Sequence, residues 1–306
     1  MFSLFDLHCD TPTEAYVRSL SICDEALMAS AKKASSFDRY VQIAAIWSDC
    51  RLNDEDAYAR YLAVRDKFIK EISENKFVHA TCANQLRVGV PNYILAVEDA
   101  RILAGDLSRL EGLYRDGVRF LTLTWAGASI IGGAYDTDAP LTDFGRHVVE
   151  ECFRLGIIPD LSHASVPVID EVLTMAEQRS LPVIATHSNA YSVLSHKRNL
   201  RDDHFRRIAA LGGIVGISFC PAHLSAGECT IKDVVSHIKH DLSLGGENCL
   251  AFGADLDGIE KTPEGLSDLS YMPSLYAALR DEGIDEETLN RLFYHNAHGF
   301  FARAVR

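Results

Sequence analysis

The chain has no C-x-x-C pair, no long apolar run and a deficit of basic residues, and each absence removes a class of function. Its 8 cysteines, at 9, 23, 50, 82, 152, 220, 229 and 249, are scattered through 306 residues. A chain of this size needs no disulfide staples, so buried free thiols are expected. The longest stretch without Asp, Glu, Lys, Arg or His, Phe120 to Tyr135, is 16 residues rich in Gly and Thr, short of the roughly 20 that span a bilayer. The first basic residue is Arg18 and Asp6 interrupts the N-terminal apolar run. The basic start and long apolar stretch of a secretory signal are therefore missing, which predicts a cytoplasmic protein. With 30 Lys and Arg against 43 Asp and Glu, the formal charge is −13. That field repels phosphate backbones and anionic lipid, so neither nucleic acid nor a membrane is expected as a partner. H-E-x-x-H, G-x-S-x-G and G-x-x-x-x-G-K-[ST] are also absent, and with them the signatures of one-zinc proteases, serine-elbow hydrolases and phosphate-loop enzymes. The pairs Gly212-Gly213 and Gly245-Gly246 read as turns before strands. A small-molecule substrate is what remains.

The composition itself, 47% hydrophobic and 24% charged, is that of a soluble globular protein with a large core. Eight short runs rich in Ile, Val, Leu, Phe and Ala recur at 2–10, 40–49, 93–98, 119–125, 156–163, 181–188, 212–220 and 249–258. Helix-period segments fill most of the gaps, at 53–75, 100–116, 142–155, 166–179, 202–211 and 230–244. Residues 11–39 read as irregular, and two further helices are expected at about 271–282 and 285–304. Near-continuous apolar strands alternating with helices are the pattern of a parallel sheet covered on both faces. Eight repeats predict an α/β fold of the closed (β/α)8 TIM-barrel type with a C-terminal helical extension, because the competing open, doubly wound sheet usually stops at five to seven strands. No Pro, Gly or Ser-rich linker divides the chain, so residues 1–306 are expected to form one barrel domain.

In such a barrel the chemistry sits where strands end and their following loops begin. The predicted strand ends carry His8, Asp10, Glu98, His163, His187 and Asp255. Residues two apart on a strand point to one side, so His8 and Asp10 face inward together while Cys9 faces away, which removes Cys9 as a nucleophile. An apolar run leading into Glu98 would bury a charge that needs a cation. The five residues His8, Asp10, Glu98, His163 and His187 form a metal-type set too large for one tetrahedral ion and suited to two divalent ions, zinc first among them, sharing Glu98. Two such ions can share a water, lower its pKa and polarise a carbonyl, the arrangement for hydrolysis. Asp255 would take the proton from that water, although Asp257 faces the same way and geometry alone does not choose between them. His237, His240, His295 and His298 are read as packed or solvated side chains. The 17 residues from Gly258 to Ser274 are long for a connection and are expected to cover the pocket.

These motifs resemble the renal or membrane dipeptidase family, a branch of the amidohydrolase superfamily. The resemblance rests on D-L-H-C-D-T at 6–11, A-V-E-D at 96–99, L-T-L-T-W at 121–125, D-L-S-H-A-S at 160–165, A-T-H-S-N-A at 185–190, H-K-R-N-L-R-D-D at 196–203 and F-G-A-D-L-D-G at 252–258. It implies His8 and Asp10 on one zinc, His163 and His187 on the other, Glu98 as the bridge and Asp255 rather than Asp257 as catalytic acid/base. It further implies that Arg198 grips the terminal carboxylate of a dipeptide substrate, including one with a C-terminal D-residue, a task suited to a guanidinium fork. Dimers are common in that family, so a homodimer is one implied assembly. Two positions depart from the family pattern. Trp125 stands where membrane-bound animal relatives have a His that helps polarise the scissile carbonyl. Asp99 stands where many members have Gly after the bridging Glu. Residues 300–306 form no hydrophobic tail of the kind that anchors those relatives. Another hydrolysis on the same frame, such as lactone, carbamate or deamination chemistry, is the alternative if Trp125 has reshaped the pocket, and a noncatalytic metal or peptide-binding barrel is the third reading.

Overall fold

The computed structural model describes residues 2–49 and 51–305. Nine strands run in chain order: β1 (Ser3–Cys9), β2 (Arg39–Trp47), β3 (Val78–His79), β4 (Pro91–Glu98), β5 (Val118–Thr122), β6 (Ile158–Asp160), β7 (Ile184–Ala185), β8 (Ile214–Ile217) and β9 (Leu250–Phe252). All pairings between them are parallel, in the order β2-β1-β9-β8-β7-β6-β5-β4. β4 then pairs back to β2 over eight residues, from Tyr40 opposite Pro91 to Trp47 opposite Glu98, and this closes an eight-stranded barrel. The two-residue β3, which the sequence pattern did not announce, is added beside β4 at Asn92 and Tyr93.

The apolar runs become strands because each side chain finds a buried face. Phe5, Val41, Ile43, Ile94, Phe120, Ile158, Ile184, Ile214 and Ala251 meet inside the barrel, and Ala297, Phe300 and Phe301 from the C-terminal helix Asn296–Ala304 seal its floor. Full burial of each large apolar side chain contributes about 1.5–3 kcal/mol. The opposite strand faces and the surrounding helices share a second, larger core that includes Leu4, Cys9 and Leu95.

Four expectations change. The helix expected at 100–116 is a one-turn 3₁₀ helix at Ala100–Leu103 followed by a separate α-helix at Ser108–Arg115. Residues 11–39 are not wholly irregular: a two-turn helix spans Thr11–Val17 and a one-turn helix spans Ala31–Ala34. The first opens on Asp10 and Pro12, a helix-start pattern, but gains no side-chain cap, and its seven residues are too few for a clear periodicity. The expected helix at 285–304 is interrupted by a π-helical turn at Arg291–His295. Of the segment 258–274, only Gly258 and Ile259 line the cavity described below, while Pro263, Leu266, Leu269 and Met272 are buried in the body of the protein.

β1 also carries a bulge. Asp6 lies opposite Gln42 but Cys9 lies opposite Ala44, so β1 holds one residue more than its neighbour between those points. An extra residue resets the in-and-out alternation. Phe5 and Leu7 therefore join the interior apolar layer, while His8 and Asp10 beyond the bulge also turn to the barrel axis. The buried Asp6 carboxylate holds this bend by accepting from the His8 amide at 2.9 Å, the Gln42 side chain at 3.0 Å and the Ala254 amide at 3.1 Å.

Candidate metal centre

The barrel brings the five expected metal-type residues together at one mouth. Glu98, at the end of β4, is buried and places its two oxygens against different partners: Oε1 lies 3.0 Å from His163 Nε2 and 3.4 Å from His187 Nε2, and Oε2 lies 3.7 Å from His8 Nε2. His8 Nε2 is also 3.3 Å from Asp10 Oδ2 and 3.9 Å from Asp255 Oδ1. The Nε2 atoms of His163 and His187 approach to 2.8 Å. Potential ligand atoms of His8, Glu98 and His187, and of His8, Asp10 and Asp255, each fall within 4.8 Å of one another.

Two observations test whether these residues fit metal. His8 Nε2, which faces the carboxylates of the cluster, and Asp10 Oδ1 are buried without a hydrogen-bond partner. Buried polar atoms of that kind carry a cost unless something satisfies them. Charge tells the same story. Burial, reinforced by Asp10, pushes the Glu98 carboxyl well up, and burial pushes Asp255 up to about 7 against the opposing pull of His8. Burial works against a charged His8, yet the carboxylates of Glu98, Asp10 and Asp255 hold its imidazole up at about 10. His163 and His187 are driven well down by burial, with Arg198 and His8 adding to the effect. The cluster thus gathers protons to offset its negative charge, and dications would replace them. The donor set fits divalent metal.

The mouth is held by unusual backbone. Asp99, His163, Asp255 and Asp257 all have φ between 63° and 78°, a region that costs non-glycine residues of order 1–3 kcal/mol each and is retained where geometry is functional. Asp99, directly after Glu98, has φ 78° and ψ 99°. This explains in physical terms why glycine suits that position. Gly258 lies so close that a Cβ on it would overlap Asp10 Oδ2 and Asp255 Oδ1.

Above the cluster opens a cavity of about 430 Å³, walled by Trp47, Trp125, Tyr135, Cys220 and His223, with Arg60 at its edge. Trp125 packs against Trp47 at 5.0 Å between ring centroids, while its carbonyl oxygen accepts from His163 Nδ1 at 3.1 Å. Arg198 is almost wholly buried. Its terminal nitrogens donate to Ser188 Oγ at 3.1 Å and to the His187 carbonyl at 3.0 Å, and its Nε has no partner. Three of its five N–H groups have no protein partner, although Arg198 is not one of the residues lining the cavity. His237 and His240 stay outside the centre: His237 bridges the Ala190 amide and the Leu224 carbonyl, and His240 pairs with Asp202.

Sequence reasoning passed over His223 in C-P-A-H, three residues past the expected strand. Asp160 and Thr186 lay inside quoted motifs with no role assigned. Among the described residues no helix is long and apolar enough to cross a membrane.

The profile of the membrane dipeptidase family, peptidase family M19, matches residues 1–303. The chain belongs to this family and by that membership is a metallo-dipeptidase. The solved structure of dipeptidase AC, a family M19 metallopeptidase, is 26% identical, with 99% of each chain covered and a TM-score of 0.91. A metallopeptidase from Rhodobacter sphaeroides, solved with a phosphinate mimic of the dipeptide L-Ala-D-Ala, is 25% identical over 99% of each chain with a TM-score of 0.90. The probable dipeptidase PvdM from Pseudomonas aeruginosa shares the fold at 16% identity, covering 99% of this chain and 95% of its own, with a TM-score of 0.89.

Proposed function

We propose that this metallo-dipeptidase holds two zinc ions and hydrolyses dipeptides, including those with a C-terminal D-residue. The observation that carries the reading is the division of Glu98, one oxygen toward His163 and His187 and the other toward His8. His8 and Asp10 would hold one ion, His163 and His187 the other, and Glu98 both. Two dications supply acidified water and Lewis-acid polarisation of the scissile carbonyl.

The protein's own groups do the rest. Asp255, buried and pushed up to about 7, can take a proton from the attacking water and hand it to the departing amine. Asp257 is already committed, accepting from Thr11 Oγ1 at 2.6 Å and from the amides of Met28 and Ala29. Arg198 would engage the substrate's terminal carboxylate through its free N–H groups, held in place by Ser188 and the His187 carbonyl. Trp125 offers no proton in place of the animal relatives' His, and with Trp47 it makes the cavity wall apolar. The similar Rhodobacter sphaeroides protein, bound to its L-Ala-D-Ala mimic, supports the substrate class.

Protein loaded with zinc should contain two ions per chain and release free amino acids from L-Ala-D-Ala. A fully loaded sample that leaves a panel of L,L and L,D dipeptides intact would overturn the reading.

A further inference from the structure

Opposite Glu98, on the far edge of the same imidazoles, lies a single hydroxyl. His8 and His187 stack with ring centroids 3.8 Å apart. Their Nε2 edges face Glu98. Their Nδ1 edges face Thr186 Oγ1, at 2.8 Å for His187 and 3.5 Å for His8.

The direction of these bonds is set one layer deeper. Asp160, fully buried inside the barrel, receives four donors: the amides of Ser162 and Thr186 on Oδ1 at 3.0 and 2.9 Å, and the hydroxyls of Thr122 and Thr186 on Oδ2, both at 2.6 Å. A carboxylate surrounded by donors acts as acceptor. The one proton of Thr186 is therefore spent on Asp160, and toward the imidazoles, as toward Ser162 Oγ at 3.3 Å, its oxygen can only accept. Nδ1 of each ring must then carry a proton, so that in the neutral imidazole that metal binding requires, Nε2 is the lone-pair atom facing the cluster. His163 reaches the same state by another route, through the Trp125 carbonyl.

We propose that Thr186, backed by Asp160, is a positioning residue shared by both ion subsites, orienting one imidazole from each as Glu98 links them from the other side. This inference rests on the two-ion reading above. A hydrogen bond to the remote nitrogen of a ligating His typically changes metal affinity by about 10–100-fold, and a shared oxygen makes the two ions lose affinity together.

The test is zinc affinity, measured by chelator competition on the full chain with metal content counted. Wild type should bind two ions; if it does not, the two-ion reading fails first. Given two ions in wild type, Thr186→Val should weaken both by about 10–100-fold, and Thr186→Ser, which keeps the hydroxyl, should restore wild-type affinity. Thr186→Ala provides the same deletion should the valine variant fail to fold by circular dichroism. Unchanged affinity in the Val or Ala variant, loss confined to one ion, or a Ser variant as weak as Val would each overturn the proposal while leaving the two-ion reading intact.

Discussion

Asp255 and Asp257 sit two residues apart in the same left-handed backbone conformation, yet Asp257 is tied by three hydrogen bonds to Thr11, Met28 and Ala29 while Asp255 faces His8 across 3.9 Å. The two carboxylates should fail differently. Asp255→Asn removes a proton acceptor and should lower kcat by about 10²–10⁴-fold with the metal content retained. Asp257→Asn leaves the amides of Met28 and Ala29 poorly matched and should cost about 1–3 kcal/mol. Dipeptide kinetics, metal counts and urea melts on both variants distinguish them; equal kinetic losses would erase the distinction.

Gly258 is needed for its missing side chain. A methyl group there overlaps a carboxylate oxygen from each of Asp10 and Asp255, so Gly258→Ala should reduce both zinc affinity and dipeptide turnover without unfolding the barrel. Gly227, where a Cβ meets nothing within 4 Å, is the control, and Gly227→Ala should turn over dipeptides like wild type.

Asp99 trades backbone strain against one capping bond. Its φ of 78° and ψ of 99° cost about 1–3 kcal/mol, and its Oδ1 accepts from the Arg101 amide at 3.1 Å, a cap worth about 1 kcal/mol. Burial also pushes its carboxyl from 3.8 up to about 7, so at pH 8 the folded protein carries a buried charge that costs stability relative to the unfolded chain. Asp99→Gly should therefore be more stable than Asp99→Ala by about 1–3 kcal/mol at pH 8, because both variants lose the cap and the buried charge and only glycine also loses the strain. Chemical denaturation of the pair decides the matter.

His223 gives a pH dependence with a definite sign. Burial, then Arg198 and His196, drive its imidazole from 6.5 down to about 3. In the unfolded chain it takes a proton near 6.5, while the folded protein refuses it until near 3. The unfolded state thus binds more protons throughout that window, and stability falls as pH drops through it, by up to about 1.4 kcal/mol per unit. Metal-free wild type should lose more stability than His223→Gln between pH 7.5 and 5.5. Parallel pH profiles would show that His223 is solvated.

How much of this was legible follows from what pattern carries. The barrel was, because strands buried on both faces leave uninterrupted apolar runs such as Ile43–Ile46 and Tyr93–Val97. So were the five clustered side chains, because each closes one of those runs. The helix at Thr11–Val17 was not, since seven residues without a capping side chain leave little periodicity. The bulge at His8 was hidden as well: it depends on Asp6 meeting Gln42 and Ala254, contacts made only when three strands come together. Thr186 escaped for the same reason, because a threonine before a histidine says nothing of the Asp160 beneath it. The residues by themselves left Asp255 and Asp257 tied and only the family resemblance chose Asp255; the bonds that occupy Asp257 come from the loop at Met28, 229 residues away in the chain.

The sealed floor of the barrel has a kinetic consequence. With Phe300 and Phe301 packed against Phe120 and Phe5, the side away from the mouth offers no way through. Both amino acids released from a dipeptide must leave by the doorway the substrate used. Entry of substrate and exit of product therefore compete for one passage.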